Sequence, residues 1–121
     1  MAKRANKTEF PARVRRIIEA RDNGCIFCQM HYRMENDYWM DLNTFSIMHF
    51  IPRSSGGLGI EQNGAVGCSY HHTMMDNGKD GYRDEMLELF EEYLKSFYDD
   101  WDKSELVYDK WAFLKVQKGE K

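Results

Sequence analysis

Two short segments of the chain each carry two metal-ligating side chains at the spacing of a zinc knuckle. The first segment is Cys25-x2-Cys28 and the second is Cys68-x2-His71. Thiolate and imidazole are the ligands of structural zinc sites, which bind the ion through four of them in a closed tetrahedron. The pattern therefore predicts a structural zinc ion held by these four residues, with a binding energy that contributes directly to folding.

The cysteine count agrees with metal binding and leaves one alternative ligand. Three cysteines cannot all pair as intramolecular disulfides, and a reducing cytoplasm would disfavour such pairing. His31 follows Cys28 at the same x2 spacing and could compete with His71 for the fourth position. We favour His71, since the two knuckles already complete a set of four.

A second group of residues could activate a water molecule and bind a metal ion. It comprises His49 in a segment of strand character, Asn63 in the following loop and His72 in a short helix. A histidine with its pKa near neutrality can accept a proton from water, which predicts His49 as the general base. His72 and Asp76 lie at i and i+4 on the helix and can hold one divalent ion together.

These segments resemble the HNH endonucleases, whose ββα-metal motif places the same three residue types on a strand, a loop and a helix. The resemblance covers most of residues 12–114, but specific motifs occur only in 25–76. It rests on the following segments: His49-x-Ile51-Pro52-Arg53 with Gly56-Gly57, and Asn63-Gly64 with Cys68-x2-His71-His72. It implies that Asn63 hydrogen-bonds across the loop and orients His49, and that the small phage and prophage members nick or cut DNA during genome packaging.

One residue departs from the family's pattern. The position before the base is usually Asp or His and ligates the catalytic ion, but here it is Met48. A thioether is a poor ligand for Mg²⁺, so either His72 and Asp76 suffice, or a softer ion (Mn²⁺, Ni²⁺ or Zn²⁺) is used, or cleavage is lost. The last case would leave a non-catalytic, zinc-stabilised module that binds DNA or serves as a packaging accessory protein. The roles of His71 and His72 could also be exchanged, although the two spacings favour the order given above.

The elements that must position these residues follow from hydrophobic periodicity and from turn residues. We expect an α+β fold in which the ββα-metal motif and the zinc knuckles lie between an N-terminal helix and a longer C-terminal helix. The predicted elements are helix 12–22, strand 44–51, strand 65–68, helix 70–75 ending at Asn77-Gly78, and helix 84–98. The apolar face of the last helix is expected to supply core residues, namely Met86, Phe90, Tyr93, Leu94 and Phe97.

Length and composition indicate one domain. With 121 residues, of which 42% are hydrophobic, the chain can bury one modest core. We expect a flexible basic arm over 1–11, the zinc and HNH core over 12–78 and a helical extension over 79–121. The large apolar and aromatic residues of the extension are expected to pack back on the core; they are Trp101, Val107, Tyr108, Trp111, Phe113 and Leu114.

The distribution of charge points to DNA rather than to a membrane. The net charge is only −3, but basic residues concentrate near the N-terminus and carboxylates near the C-terminus. Phosphate contacts are predicted for Arg13, Arg16 and Arg53, with Arg83 and Lys79 as weaker candidates. The acidic C-terminal helix could instead contact packaging proteins. No secretory signal or long apolar run is present, so a cytoplasmic protein is expected.

Overall fold

The computed structural model describes residues 7–33, 44–78 and 81–108. It shows an α+β fold with a small antiparallel sheet of two strands. The elements are, in chain order, α1 (Ala12–Asp22), α2 (Ile26–Gln29), β1 (Phe45–His49), β2 (Gly64–Cys68), α3 (Ser69–Asn77) and α4 (Tyr82–Phe97). All five elements predicted from the sequence are present, and α2 forms where a tight turn was expected.

Helix α1 covers one face of the sheet. Val14 and Ile18 are buried, and they pack with Phe10, Ile47 and Val66 in one apolar cluster. The helix ends at Asn23, which adopts the left-handed conformation and donates its N–H to the Glu19 carbonyl. The cap is thus Asn23 rather than the following glycine.

The other face of the sheet meets α3, α4 and the knuckle segment. Met48 on β1 and Ala65 on β2 belong to the main core cluster, together with Met75 of α3 and the buried face of α4. A Cβ at Gly67 would come within 2.4 Å of the Met48 sulfur, so the close packing of Met48 requires glycine at this position of β2. The sheet is therefore covered on both faces although it has only two strands.

Helix α4 supplies a narrower apolar face than its sequence predicted. Met86, Phe90 and Leu94 recur every four residues and are fully buried. Tyr93 is half-buried, and Phe97 is 47% exposed, so the expectation that Phe97 is a core residue was wrong. Phe97 is the last residue of α4 and lies outside the core, where its ring packs against the Arg21 guanidinium.

The chain after α4 packs back on the core, as expected. Trp101 donates its indole N–H to the Gln62 carbonyl at 2.8 Å, and Val107 forms an isolated antiparallel bridge with Gly57. These contacts fix the loop that follows β1. Trp111, Phe113 and Leu114 lie outside the described residues.

The segment before α1 differs from the flexible arm that was expected over 1–11. Thr8 and Phe10 are buried, and the Lys7 carbonyl accepts the Gly59 N–H at 2.9 Å. A Cβ at Gly59 would lie 1.9 Å from the Glu9 carbonyl oxygen, so glycine is what allows this close approach. Residues 7–10 therefore form a strap across the loop between the strands; residues 1–6 lie outside the described range.

Within the described residues, no helix combines the length and the apolar content that crossing a membrane requires.

A buried ion pair links three elements behind the sheet. The Asp22 carboxylate, fully buried, accepts from Arg21 Nε at 2.6 Å, from the Tyr93 hydroxyl at 2.6 Å and from the Val66 N–H at 2.8 Å. Arg21 in turn donates to the Gly64 carbonyl. α1, α4 and β2 thus meet at one carboxylate, which the sequence did not single out.

Replacing Asp22 should test how far the fold depends on this carboxylate. Asp22→Asn keeps the shape but leaves the buried Arg21 without its counter-charge, so we expect the free energy of unfolding to fall by about 3 kcal/mol. Urea denaturation measures this loss. Asp84→Asn, on the exposed side of α4, is the matched control and should change stability by less than about 0.5 kcal/mol; an equal effect of both variants would contradict the prediction.

Candidate metal centre and cleft

Four ligand atoms from the two predicted knuckles converge in the structure. The sulfurs of Cys25, Cys28 and Cys68 and Nδ1 of His71 all lie within 4.8 Å of one another. The distances from His71 Nδ1 to the three sulfurs are 3.6, 3.5 and 3.4 Å, and Cys28 Sγ lies 3.6 Å from Cys68 Sγ. The predicted set of four residues is thereby brought together.

Local helix geometry explains why each knuckle presents its ligands on one side. Cys25 is the N-cap of α2, and its sulfur accepts the Cys28 N–H at 3.4 Å. Cys68 is the N-cap of α3, and its sulfur accepts the His71 N–H at 3.5 Å. In both cases the first ligand caps the helix and the second ligand lies three residues later, at the end of the first helical turn. One turn of helix therefore brings the second ligand back beside the capping sulfur. The x2 spacing therefore produces two equivalent half-sites.

The dimensions of the group fit a tetrahedral zinc ion. With Zn–S of about 2.3 Å and Zn–N of about 2.0 Å, a tetrahedron has S···N edges of about 3.5 Å and S···S edges of about 3.8 Å. The three S···N separations and the Cys28–Cys68 S···S separation lie close to these edges. His71 is fully buried, and its Nε2 lies 2.7 Å from the Tyr32 carbonyl, which can only accept a hydrogen bond. Nδ1 is therefore left unprotonated for the metal, while the other ring nitrogen donates to a carbonyl, as is usual for metal-bound histidines.

The electrostatics of the three thiols also favour a cation. Hydrogen bonding from Cys25, with His71 and Cys28 adding to it, lowers the pKa of Cys68 to about 3. Burial and the neighbouring Cys68 raise the pKa of Cys28 to about 11. One thiolate is thus stabilised while a second is disfavoured by the first negative charge, and a divalent ion would relieve that repulsion.

His31 does not join this group. It is an exposed residue of the turn after α2, in the left-handed region with φ of 56°. The alternative in which His31 replaces His71 is therefore not what the structure shows.

A separate cleft of about 590 Å³ brings together His49, His72 and Asp76 but not Asn63. It is an open cavity at the outer edge of β1, between α1 and α3. His49 of β1 and both His72 and Asp76 of α3 line it, together with Arg53 from the loop between the strands. At about 30 Å³ per water, its volume equals roughly twenty waters, enough for a phosphodiester and its solvent.

His49 is held by the strap. Its Nε2 lies 2.7 Å from the Thr8 carbonyl oxygen, and the Phe10 ring lies 4.3 Å from its own ring, centre to centre. A carbonyl cannot donate, so Nε2 carries the proton and Nδ1 keeps the lone pair. Burial lowers the pKa of His49; the hydrogen bond to Thr8 opposes this effect, and the neighbouring Arg53 and His72 lower the pKa further. The imidazole is thus neutral and able to accept a proton at neutral pH.

His72 and Asp76 are arranged as a two-residue ligand pair. His72 Nδ1 lies 2.7 Å from the Ser46 hydroxyl, and its Nε2 lies 3.6 Å from a carboxylate oxygen of Asp76. Both atoms are close enough to bind one ion at about 2.1 Å each. With a metal on Nε2, Nδ1 would donate to Ser46, which orients the ring from the neighbouring strand. The donor set, one imidazole and one carboxylate, fits a divalent ion and leaves positions for phosphate and water.

Asn63 acts through the backbone. It is fully buried, so it cannot touch a substrate. Its side-chain oxygen accepts the Ile51 N–H at 2.8 Å, and its nitrogen donates to the carbonyls of Ile51 and Leu58. These bonds fasten the chain two residues after His49 to the end of the loop. Asn63 is thus a positioning residue for the segment that carries His49.

Met48 lies away from the cleft. It is fully buried in the main core, on the face of the sheet opposite to His49. Its thioether is therefore neither a ligand nor an obstacle in the cleft, and the pair His72 and Asp76 receives no third ligand from this position.

The basic residues along the cleft differ in part from those predicted. Arg53 and Arg83 line it, as does Arg15, whereas Arg13 and Arg16 do not. Helix α1 buries Val14 and Ile18, which places Arg16 on the opposite side of the helix and Arg13 and Arg15 on either side of Val14. Only the position of the cleft shows that Arg15 is the one that lines it. Lys79 lies outside the described residues.

Comparison of the chain with protein-family models, with curated proteins and with solved structures gives no match.

Removal of the zinc ligand should identify the metal centre. We expect one zinc ion per chain in the purified protein, and His71→Asn should lose it together with more than about 3 kcal/mol of stability, because the site links distant segments. Metal analysis and thermal denaturation measure both. His31→Asn is the matched control and should retain zinc; a folded wild-type protein without zinc would disprove the assignment.

Proposed function

We propose that this chain is a metal-dependent endonuclease of the HNH type that hydrolyses DNA phosphodiester bonds. The observation that carries the proposal is the cleft itself, which brings a neutral imidazole, His49, to the same cavity as the ligand pair His72 and Asp76. Three arginines around the cavity provide the charge that a phosphate needs. The order β1, loop, β2, α3 carries His49, Asn63 and His72 in the positions that the HNH resemblance implies.

The chemistry assigned to each residue follows from its contacts. His49 accepts the proton of the attacking water through Nδ1, while the Thr8 carbonyl holds Nε2–H and stabilises the developing imidazolium. Arg15, Arg53 and Arg83 bind the phosphates on either side of the scissile bond. A divalent ion held by His72 and Asp76 would supply Lewis-acid stabilisation of the phosphate and of the leaving oxygen. The Cys3His zinc site is structural and takes no part.

The choice of DNA over other phosphodiesters, and a role as a nicking enzyme that works with phage packaging proteins, are supported by the sequence resemblance alone. The donor set is compatible with Mg²⁺, Mn²⁺, Ni²⁺ or Zn²⁺, since an imidazole and a carboxylate serve all four.

Relaxation of supercoiled plasmid tests the proposal directly. Zinc-loaded protein should nick plasmid only when Mg²⁺, Mn²⁺ or Ni²⁺ is added, and His49→Ala should lower the rate by at least about a hundredfold, the usual contribution of a general base. Asp76→Asn should raise the ion concentration needed. His31→Asn should be as active as the wild type.

Two outcomes would argue against the nuclease. Nicking that survives in His49→Ala would indicate a contaminating enzyme or a different base. DNA binding without cleavage under every ion would instead support the non-catalytic module, in which two protein ligands are too few to hold the ion.

The pH dependence of nicking should reflect the lowered pKa of His49. A protonated His49 cannot act as a base, so activity is present above its pKa and lost below it. Because this pKa is lowered, we expect kcat/KM to fall on the acid side with a midpoint below the ordinary histidine value of about 6.5. The surrounding charged groups are Glu9, Arg15, Arg53, His72, Asp76 and Arg83. Plasmid nicking at fixed ion concentration, with zinc content checked at each pH, measures the midpoint; one above 6.5 would contradict the assignment.

A further inference from the structure

A shallow notch continues the cleft along β1 towards the start of that strand. It has a volume of about 40 Å³ and shares Arg15 and Ile47 with the cleft. Phe45, Ile47 and His49 alternate along β1 and so lie on the same face of the strand. At about 3.3 Å per residue, Phe45 lies roughly 13 Å from His49 along the strand. The notch and the cleft therefore form one continuous surface.

Phe45 is the most exposed large apolar side chain of the described residues, at 54%. Isolated exposed apolar residues are common and need no explanation. Phe45 differs from Phe97 and Ile17, which are also exposed, because it lies at the end of the cleft that we propose binds DNA. Its exposure leaves part of the side chain accessible to a ligand.

The charges beside Phe45 are ordered along the notch. Arg15 lies where the notch joins the cleft, and Glu19, one helical turn further along α1, lies on the wall of the notch. A phosphate would be attracted by Arg15 and repelled by Glu19. The amino group of a base could instead donate a hydrogen bond to the Glu19 carboxylate, as the N4 amino group of cytosine does to carboxylates.

We propose that this notch is a subsite for one unpaired nucleobase of the bound strand, which stacks on Phe45 and presents an amino group to Glu19 while Arg15 binds the adjoining phosphate. The proposal rests on the proposed function and names its substrate class as DNA with an unpaired base close to the scissile bond. Bases within a duplex are already stacked on both faces, so only an unpaired base can reach Phe45. The notch is too small to enclose a base, so one edge enters it.

Binding of labelled oligonucleotides tests the subsite without requiring cleavage. The protein is the wild-type chain loaded with zinc and with no other divalent ion, and the probes are single strands of dC and of dT, about twelve nucleotides long, and a hairpin duplex. Fluorescence anisotropy measures the affinities. We expect single strands to bind more tightly than the hairpin, and dC more tightly than dT.

Variants separate stacking from a general effect on the fold. Phe45→Ala should weaken single-strand binding about tenfold and leave hairpin binding within about twofold. Phe45→Trp keeps an aromatic ring at this position and should retain the wild-type affinity for single strands. Glu19→Ala should remove the preference for dC over dT. Phe97→Ala, which removes a similarly exposed ring distant from the cleft, should bind all three probes as the wild type does.

Three results would overturn the subsite: no binding of single strands by the wild type, unchanged single-strand affinity in Phe45→Ala, or an equal loss on the hairpin. If Phe45→Ala also nicks plasmid at the wild-type rate, any of these results would refute the subsite without affecting the proposed nuclease function. Conversely, Phe45-dependent binding of single strands without nicking would support the subsite in a module that does not cleave.

Discussion

The convergence of four ligand atoms between α2 and the β2–α3 junction is the constraint on which the cleft depends. A two-stranded sheet of five residues per strand is marginal by itself. Cys68 ends β2 and caps α3, and His71 lies in the first turn of that helix. A metal at this point would fix the direction in which α3 leaves the sheet, and hence the positions of His72 and Asp76. The metal centre and the cleft are therefore coupled through a single helix, on which His71 and His72 are adjacent residues.

Two buried polar side chains, Asn63 and Asp22, also hold distant segments of the chain together. Asn63 satisfies backbone groups on both sides of the loop after β1, and Asp22 satisfies groups from α1, β2 and α4. Each would cost stability if left without partners, so each specifies one arrangement of the segments that it joins. The loop that carries Arg53 is thereby held from within, while its outer side remains open to a ligand.

The sequence predicted the elements and the metal ligands well because both are encoded locally. Helical periodicity placed α1 at its observed bounds, and the x2 spacing identified the cysteines and His71 without knowledge of the fold. Contacts between distant segments could not be found in this way. The strap over His49 depends on the close approach that Gly59 permits, and the exposure of Phe97 depends on where the core ends. The choice of Arg15 over Arg13 and Arg16 depends on which side of α1 faces the sheet.

The family pattern and strand geometry lead to different expectations for Met48. By resemblance, the residue before the base should bind the catalytic ion, and a thioether there would weaken the expectation of cleavage. By alternation, however, neighbours on a strand point to opposite faces, so a residue adjacent to His49 within β1 faces the core. The burial of Met48 against Gly67 follows the second rule. Methionine is then an ordinary core residue, and whether the cleft can hold an ion depends on His72, Asp76 and the charge that a bound phosphate itself contributes.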